Sequence, residues 1–365
     1  MNFTTIANQH LCDVPVYEPG RPIEEVAREL GLHPRRIIKL ASNENALGPS
    51  PKAVVAMRRA LKTANLYPDG SGFYLRQALA RKLGVEIDNL ILGCGSNEII
   101  EFLYHTFVAP GDEVVVGDRA FVIYAIMAKV SQARCISVPF CNGGHTHDLD
   151  AMREAITAKT KLVFVANPNN PSGTRVTNTA LDRFIRRLPP HVVCVLDEAY
   201  IEFLDDPPPS VKYAMTRNVI LLRTFSKIVG LAGLRIGYGV AQKDCIALMQ
   251  RVRQPFNLNS IGQAGALAAV SDPEHIRNTK RMTRAGLAYL YREFERMKLE
   301  YVPSCANFVL VRVGDGARVF QALQRRGVIV RPVGGPYKLP EWIRVTVGLP
   351  GENRRFIREL AASLR

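Results

Sequence analysis

The stretch RTFSKIVGLAGLR, residues 223–235, decides how the rest of the chain is read. It follows the apolar run NVILL and leads into a Gly-rich, mostly apolar segment, so a buried strand is expected to end in a turn here. Lys227 stands in that turn, with Thr224 and Ser226 before it and Arg235 eight residues on. A lysine beside such flanks is costly unless its amine is paired or used. One reading makes it an ordinary surface-turn lysine. The other makes it an amine held for covalent chemistry, with Ser226 and Arg235 binding an anion beside it.

Working outward, short β-branched runs alternate with helical patterns from about residue 75 to 245. DNLILG, DEVVVGD, KLVFVAN, VVCVLDE, NVILLRT and RIGYGVA read as strands, and NEIIEFLYHTF and LDAMREAI carry apolar positions at helical spacing. This alternation predicts an α/β fold, a mostly parallel central sheet with helices on both faces. Beyond about residue 255 a long helical region, SIGQAGALAAV and EHIRNTKRMTRAGLAYLYREFERM, leads to strands NFVLVRV, GVIVRPV and WIRVTVG with helices RVFQALQRR and ENRRFIRELAASLR. That pattern is expected to form a smaller α+β domain. The expected division is an N-terminal arm and helix over 1–44 that joins the small domain, a large domain over 45–250 and the small domain over 251–365.

The 365 residues suffice for two cores, and 47% hydrophobic with 22% charged residues is the balance of a globular protein. No apolar run is long enough to cross a bilayer, and MNFTTIANQHLCDVP lacks the basic start and apolar stretch of a leader. No membrane association and a cytoplasmic location are therefore expected. Seven scattered cysteines without CxxC spacing predict reduced thiols, no disulfide framework and no metal site. The net charge of +15 is spread thinly, with RR pairs along the chain and no basic tract. No nucleic-acid partner is expected; the charge suits the steering of anionic small molecules.

In an open α/β sheet, ligands gather beyond the carboxyl ends of the strands. Four of the expected strands end in GCGSNE, NPNNPSG, DEAY and TFSK, all small, hydroxylic, amide or charged. GCGSNE is only a partial dinucleotide fingerprint, because Glu98 stands where GxGxxG has its third glycine. A phosphate on the amides of Gly95, Ser96 and Asn97 at a helix start remains sensible. No GxxxxGK[ST] loop is present. Asp197 follows four apolar residues and is expected at a buried strand end, either paired structurally or facing a cationic ring nitrogen. An amine for an aldehyde, a carboxylate for a pyridinium and donors for a phosphate together describe pyridoxal phosphate.

As an ordered set, YPDGSGFYLRQALA, GCGSNEIIEF, NPNNPSG, DEAY and TFSKIVGLAGLRIGY resemble the fold-type-I pyridoxal-phosphate aminotransferases. YEPGRPIEEVARELG, ASNENALGPSP, RQPFNLNSIGQAGALAA and the pair VIVRP and WIRVTVG narrow the resemblance to the histidinol-phosphate aminotransferase group. It runs from about Tyr17 to the C-terminal helix. The resemblance implies that Lys227 carries the cofactor covalently and moves the proton, that Asp197 pairs with the ring nitrogen, and that Tyr200 and Asn170 hydrogen-bond its phenolic oxygen. Ser226, Arg235, Thr224 and the turn of Gly95, Ser96 and Asn97 would hold its phosphate, with Phe121 stacked on the ring. Tyr67 would reach that phosphate from a neighbouring subunit, which implies a homodimer. Arg344 matches the family arginine for an α-carboxylate and Arg331 the position for a substrate phosphate, with Tyr17, Asn43 and Tyr124 in the substrate pocket. Ala46 and the pair Ile228 and Val229 depart from the common pattern, which bears on pocket shape alone. The implied reaction moves an amino group between L-histidinol phosphate and 2-oxoglutarate, yielding glutamate, in histidine biosynthesis. An aromatic amino-acid aminotransferase and a threonine-phosphate decarboxylase on the same fold are the alternatives.

Overall fold

The N-terminal segment wraps first. In the computed structural model, which describes residues 2–141, 143–335 and 337–365, two short 3-10 turns (Phe3–Thr5 and Gln9–Asp13) precede the helix Ile23–Leu30. That helix buries Val26 and Ala27 and ends at Gly31 with φ of +63°, the left-handed conformation that favours glycine. Strand β1 (Ile38–Lys39) then pairs in parallel with a C-terminal strand at Val328 and Ile329, so the segment is stitched to the far end of the chain.

The central sheet comprises β2 (Leu90–Cys94), β3 (Glu113–Gly117), β4 (Arg134–Val138), β5 (Thr160–Ala166), β6 (Val193–Asp197), β7 (Val219–Thr224) and β8 (Ile236–Val240). Their order is β2-β8-β7-β6-β5-β3-β4. The sheet is parallel except for β8, which runs against both its neighbours. The interior strands are apolar along their length and buried on both faces, as helices on either side require. Every strand expected in this region forms. The sequence reading passed over β4: RCISV is a half-exposed edge strand whose arginine, cysteine and serine dilute the apolar run.

The C-terminal part holds an antiparallel sheet of β9 (Tyr301–Val302), β10 (Phe308–Arg312), β12 (Arg331–Pro332) and β13 (Trp342–Thr346), in the order β12-β13-β10-β9. Strand β11 (Val328–Ile329) is the partner of β1. The helices Pro273–Arg296, Gly316–Arg325 and Pro350–Ser363 bury Leu290, Phe294, Leu323 and Phe356 in a core shared with Val309 and Val311 of β10. The helix Ser260–Val270 packs elsewhere. Its Ala266 and Ala269 join the core of the large sheet, where Gly265 brings the helix within 2.9 Å of the Met57 side chain as measured from an added Cβ. The expected boundary at residue 250 thus falls ahead of a helix that shares the large core.

Candidate active site

Beyond the carboxyl ends of the parallel strands lies a cavity of about 950 Å³, closed on its other side by residues 39–44 and the C-terminal sheet. Lys227 sits three residues past β7, half-buried in the cavity wall. Its Nζ donates to the Ser42 carbonyl at 3.1 Å and lies 5.8 Å from the centre of the Tyr200 ring. Burial, reinforced by the Arg344 and Arg235 guanidiniums, pushes its pKa down to about 8, against the opposing pull of Glu44 and Asp197. A usable fraction of neutral, nucleophilic amine therefore exists near neutral pH.

Asp197 closes β6 and is 7% exposed. Burial raises its affinity for a proton, while two donors favour the charged form: the Tyr124 hydroxyl at 2.6 Å on Oδ2 and the Ala199 amide at 3.1 Å on Oδ1. The carboxylate is thereby fixed, with lone pairs still open to a cation. Next to it Glu198 pairs with Arg223 at 2.8 Å, which neutralises a second buried carboxylate. Tyr200 is buried, its pKa pushed up to about 12 by desolvation, so its hydroxyl keeps its proton.

The anion nest forms where β2 meets the helix Gly95–Phe107. Gly95 has φ of +72°, and a Cβ there would lie 2.6 Å from Arg235 Nη2. Only glycine lets that guanidinium rest against the helix start. Arg235 Nη1 donates to Ser226 Oγ at 3.4 Å and to the Ala232 carbonyl at 3.0 Å, and the Ser226 amide donates to Thr224 Oγ1 at 3.1 Å. Ser96 and Asn97 line the same wall. Glu98, the residue that broke the dinucleotide pattern, accepts from the Cys94 amide and from Asn257 Nδ2, each at 2.6 Å, so it caps the helix.

Opposite stand two arginines. Arg344 is 6% exposed, binds Asn170 Oδ1 through Nη1 and the Ala41 carbonyl through Nη2, and has its Cζ 5.3 Å from the Phe308 ring centre. Its Nε is buried with no hydrogen-bond partner among the described residues. Arg331 faces it directly as its cross-strand partner between β12 and β13, and donates to the Glu18 carbonyl at 2.9 Å. Like charges in register destabilise a ladder unless something negative lies near them. The orphaned Nε and the Gly95 cradle both fit groups that carry anions.

Phe121 and Tyr17 line the cavity, Tyr17 from the N-terminal segment and 43% exposed. Tyr124 and Asn43 line the cavity as well. Tyr124, expected in the substrate pocket, is fully buried with its hydroxyl engaged by Asp197, because helix Ile123–Val130 turns it under the carboxylate. Asn43, also expected there, uses its amide on Tyr200 at 2.9 Å. Tyr67 lies outside the cavity of its own chain, 83% exposed and stacked on Phe256 at 4.7 Å. Sequence reasoning missed Ser42, Glu44 and Tyr337 in the lining, and Thr346 and Asn307 behind Asn43. Thr346 could have been found from its spacing, since residues two apart share a strand face and Arg344 is two before it. Nothing in the pattern singles out Tyr337.

This arrangement meets known proteins at every scale. A histidinol-phosphate aminotransferase from Akkermansia muciniphila is 49% identical, covering 99% of this chain and 99% of the relative. Histidinol-phosphate aminotransferase 2 of Ralstonia nicotianae is 51% identical over 95% of this chain and 94% of its own length. The crystal structure of histidinol-phosphate aminotransferase from Sinorhizobium meliloti in complex with pyridoxal-5'-phosphate superposes with a TM-score of 0.88 at 28% identity, covering 98% of this chain and 96% of that one. The model of the family described as aminotransferase class I and II matches residues 35–360, which takes in the lysine, the aspartate and both arginines. With sequence, fold and the residues of the cavity in agreement, the chain belongs to the class I and II aminotransferase family.

Proposed function

We propose that the chain is a pyridoxal-phosphate-dependent aminotransferase that exchanges an amino group between L-histidinol phosphate and 2-oxoglutarate. The observation that carries this reading is the facing pair Arg331 and Arg344 across the cavity that also holds Lys227. Two cationic positions suit a site that takes a phosphate-bearing amine in one half of its cycle and a dicarboxylate in the other. The names of the relatives support the same choice of substrate.

When bound, pyridoxal phosphate supplies an aldehyde for covalent capture of an amine and a ring that draws electrons from the carbon bearing it. Lys227 would hold it through Nζ and, once released, carry a proton on that atom. Asp197 would meet the ring nitrogen, and a cation there would reverse the effect of burial and keep the carboxylate charged. Tyr200 and Asn170 would face the phenolic oxygen, Phe121 the ring, and Ser226, Arg235, Thr224, Gly95, Ser96 and Asn97 the phosphate. Arg344 offers a planar fork to a carboxylate and Arg331 a second cation to a phosphate. Tyr17 at the rim and Asn43 complete the substrate side.

A homodimer in which Tyr67 reaches the partner's site belongs to the same proposal. Its support is the exposed apolar set Val55, Leu66, Tyr67 and Tyr74 on one stretch of the chain. So does a cytoplasmic location; among the described residues no helix is long and apolar enough to cross a membrane. The proposed division keeps the arm and the two domains, with the helix Ser260–Val270 assigned to the large one.

The test is the visible spectrum of protein reconstituted with pyridoxal phosphate, before and after L-histidinol phosphate, with L-phenylalanine in parallel. Ready conversion by the phosphate and poor conversion by phenylalanine is the expected result. Better conversion by phenylalanine would move the substrate assignment to aromatic amino acids. No absorption band on reconstitution would remove the role of Lys227.

A further inference from the structure

Asn43 is a buried residue, 1% exposed, held at φ of +56°. An asparagine tolerates the left-handed region, yet in a buried loop it persists there only when its surroundings over-determine it. The surroundings here are the C-terminal sheet. The Asn43 amide donates to Thr346 Oγ1 at 2.9 Å, the Thr346 hydroxyl donates to Asn43 Oδ1 at 3.1 Å, and Asn307 Nδ2 donates to the Asn43 carbonyl at 3.0 Å. Asn43 Nδ2 then donates to the Tyr200 hydroxyl oxygen at 2.9 Å. Thr346 and Asn307 are 3% and 2% exposed, so water does not compete for these groups.

The directions of these bonds form a chain of necessity. The Thr346 hydroxyl has one proton, and its oxygen already accepts from a backbone N–H, which has no acceptor capacity of its own. Its proton goes to the Asn43 side chain, so the atom it meets must be the oxygen of the amide. The nitrogen is then turned to Tyr200, where it can only donate. The Tyr200 oxygen accepts, and its own proton is left to point elsewhere.

We infer that Thr346 is a positioning residue: its hydroxyl fixes which way round the Asn43 amide lies, and so directs the Tyr200 hydroxyl proton into the cavity. The inference rests on the proposed reading of Tyr200 as a ligand of the cofactor's phenolic oxygen. A donor aimed at that oxygen withdraws charge from it, which weakens its hold on a proton at the linkage to Lys227. Without Thr346 the amide of Asn43 can turn over, present its oxygen to Tyr200 and draw the proton away. The charged and titratable groups around Tyr200 and Lys227 are Asp197 from β6, Arg344 from β13, Tyr337 from the loop before it, Glu44 from the segment after β1 and Arg235 ahead of β8. None of them is altered by changing Thr346.

The experiment is a pH titration of the visible band of pyridoxal-phosphate-loaded protein for wild type, Thr346→Val, Thr346→Ser and Asn43→Asp. Thr346→Val keeps the shape and removes the hydroxyl, and its midpoint is expected to rise by about one pH unit, the effect of losing one hydrogen bond to a charged acceptor. Thr346→Ser restores the hydroxyl and should titrate with the wild type. Asn43→Asp puts a carboxylate where the donor stood and should shift in the same direction as Thr346→Val. An unchanged midpoint in Thr346→Val overturns the inference, as does an equal shift in Thr346→Ser, which would assign the effect to packing. A wild type without any band overturns the cofactor reading and this inference with it; a normal wild type beside an unshifted Thr346→Val overturns this inference alone.

Discussion

Tyr124 donates its hydroxyl proton to Asp197 Oδ2 at 2.6 Å from a position with no exposure to solvent. The residues are 73 apart in sequence and meet because the helix Ile123–Val130 lies under the end of β6. Burial and this bond act on the carboxylate in opposite directions. Burial favours its neutral form, and the hydroxyl favours the charged one, which alone can pair with a cation.

Tyr124→Phe removes the donor and leaves the ring, which stacks on Phe164 at 4.4 Å, in place. Among the described residues the buried carboxylate then keeps one hydrogen-bond donor of two, the Ala199 amide. Unfolding in urea should show a loss of about 1–2 kcal/mol, the cost of one buried hydrogen bond to a group of this kind. Asp197 becomes harder to ionise, so the affinity for pyridoxal phosphate, followed by fluorescence titration, should fall about tenfold. A variant with unchanged affinity would mean that Asp197 does not depend on Tyr124.

Much of this site can be read along the chain, and the part that cannot has a physical reason. Lys227, Asp197, Asn170 and the Gly95 turn are legible because each lies at the end of an apolar strand or within four residues beyond it, and strand ends in a parallel sheet converge on one rim. A pocket position for Tyr124 is legible but its bond to Asp197 is not, since the direction of a helix face depends on how the helix docks. Thr346 and Asn307 went unseen for another reason. Their work is done on Asn43, 303 and 264 residues away, and only the pairing of the N-terminal segment with the C-terminal sheet brings them there. The edge strand β4 was missed because half-exposure lets polar residues into its pattern.

Lys227→Met should stabilise the cofactor-free protein at pH 6.5. The pKa of the amine falls from 10.5 to about 8 on folding, so the folded state binds its proton less tightly than the unfolded chain does. Below pH 8 both states hold the proton and the folded state bears the cost of a poorly solvated charge. As pH rises from 8 to 10.5 the folded state sheds it first, and the wild type gains stability. The variant should therefore be more stable by about 1 kcal/mol at pH 6.5, discounting for the solvent that reaches the cavity, and lose that advantage by pH 10. Thermal melts at the two pH values decide it; a variant less stable at pH 6.5 would mean the amine is well paired.

Gly95→Ala tests the anion nest. The added methyl group would lie 2.6 Å from Arg235 Nη2 on a backbone held at φ of +72°. The guanidinium can swing away, but it then leaves Ser226 and the helix start. Pyridoxal phosphate should bind about 10–100-fold more weakly, whereas pyridoxal, which lacks the phosphate, should bind nearly as it does to wild type. Equal losses for both would show that the change acts on the fold instead of the phosphate position.

Arg344→Lys separates the two arginines. An ammonium keeps the charge but cannot reach Asn170 Oδ1 and the Ala41 carbonyl while offering a planar fork to a carboxylate. The half-reaction with 2-oxoglutarate should lose about 10–100-fold in kcat/KM, the worth of about 1.5–3 kcal/mol for a charge-assisted contact. The half-reaction with L-histidinol phosphate should lose less, because its phosphate is assigned to Arg331. Arg331→Lys should reverse that order. Stopped-flow measurement of each half-reaction in both variants supplies the four values, and equal losses throughout would show that the pair acts as one anion site with no division between them.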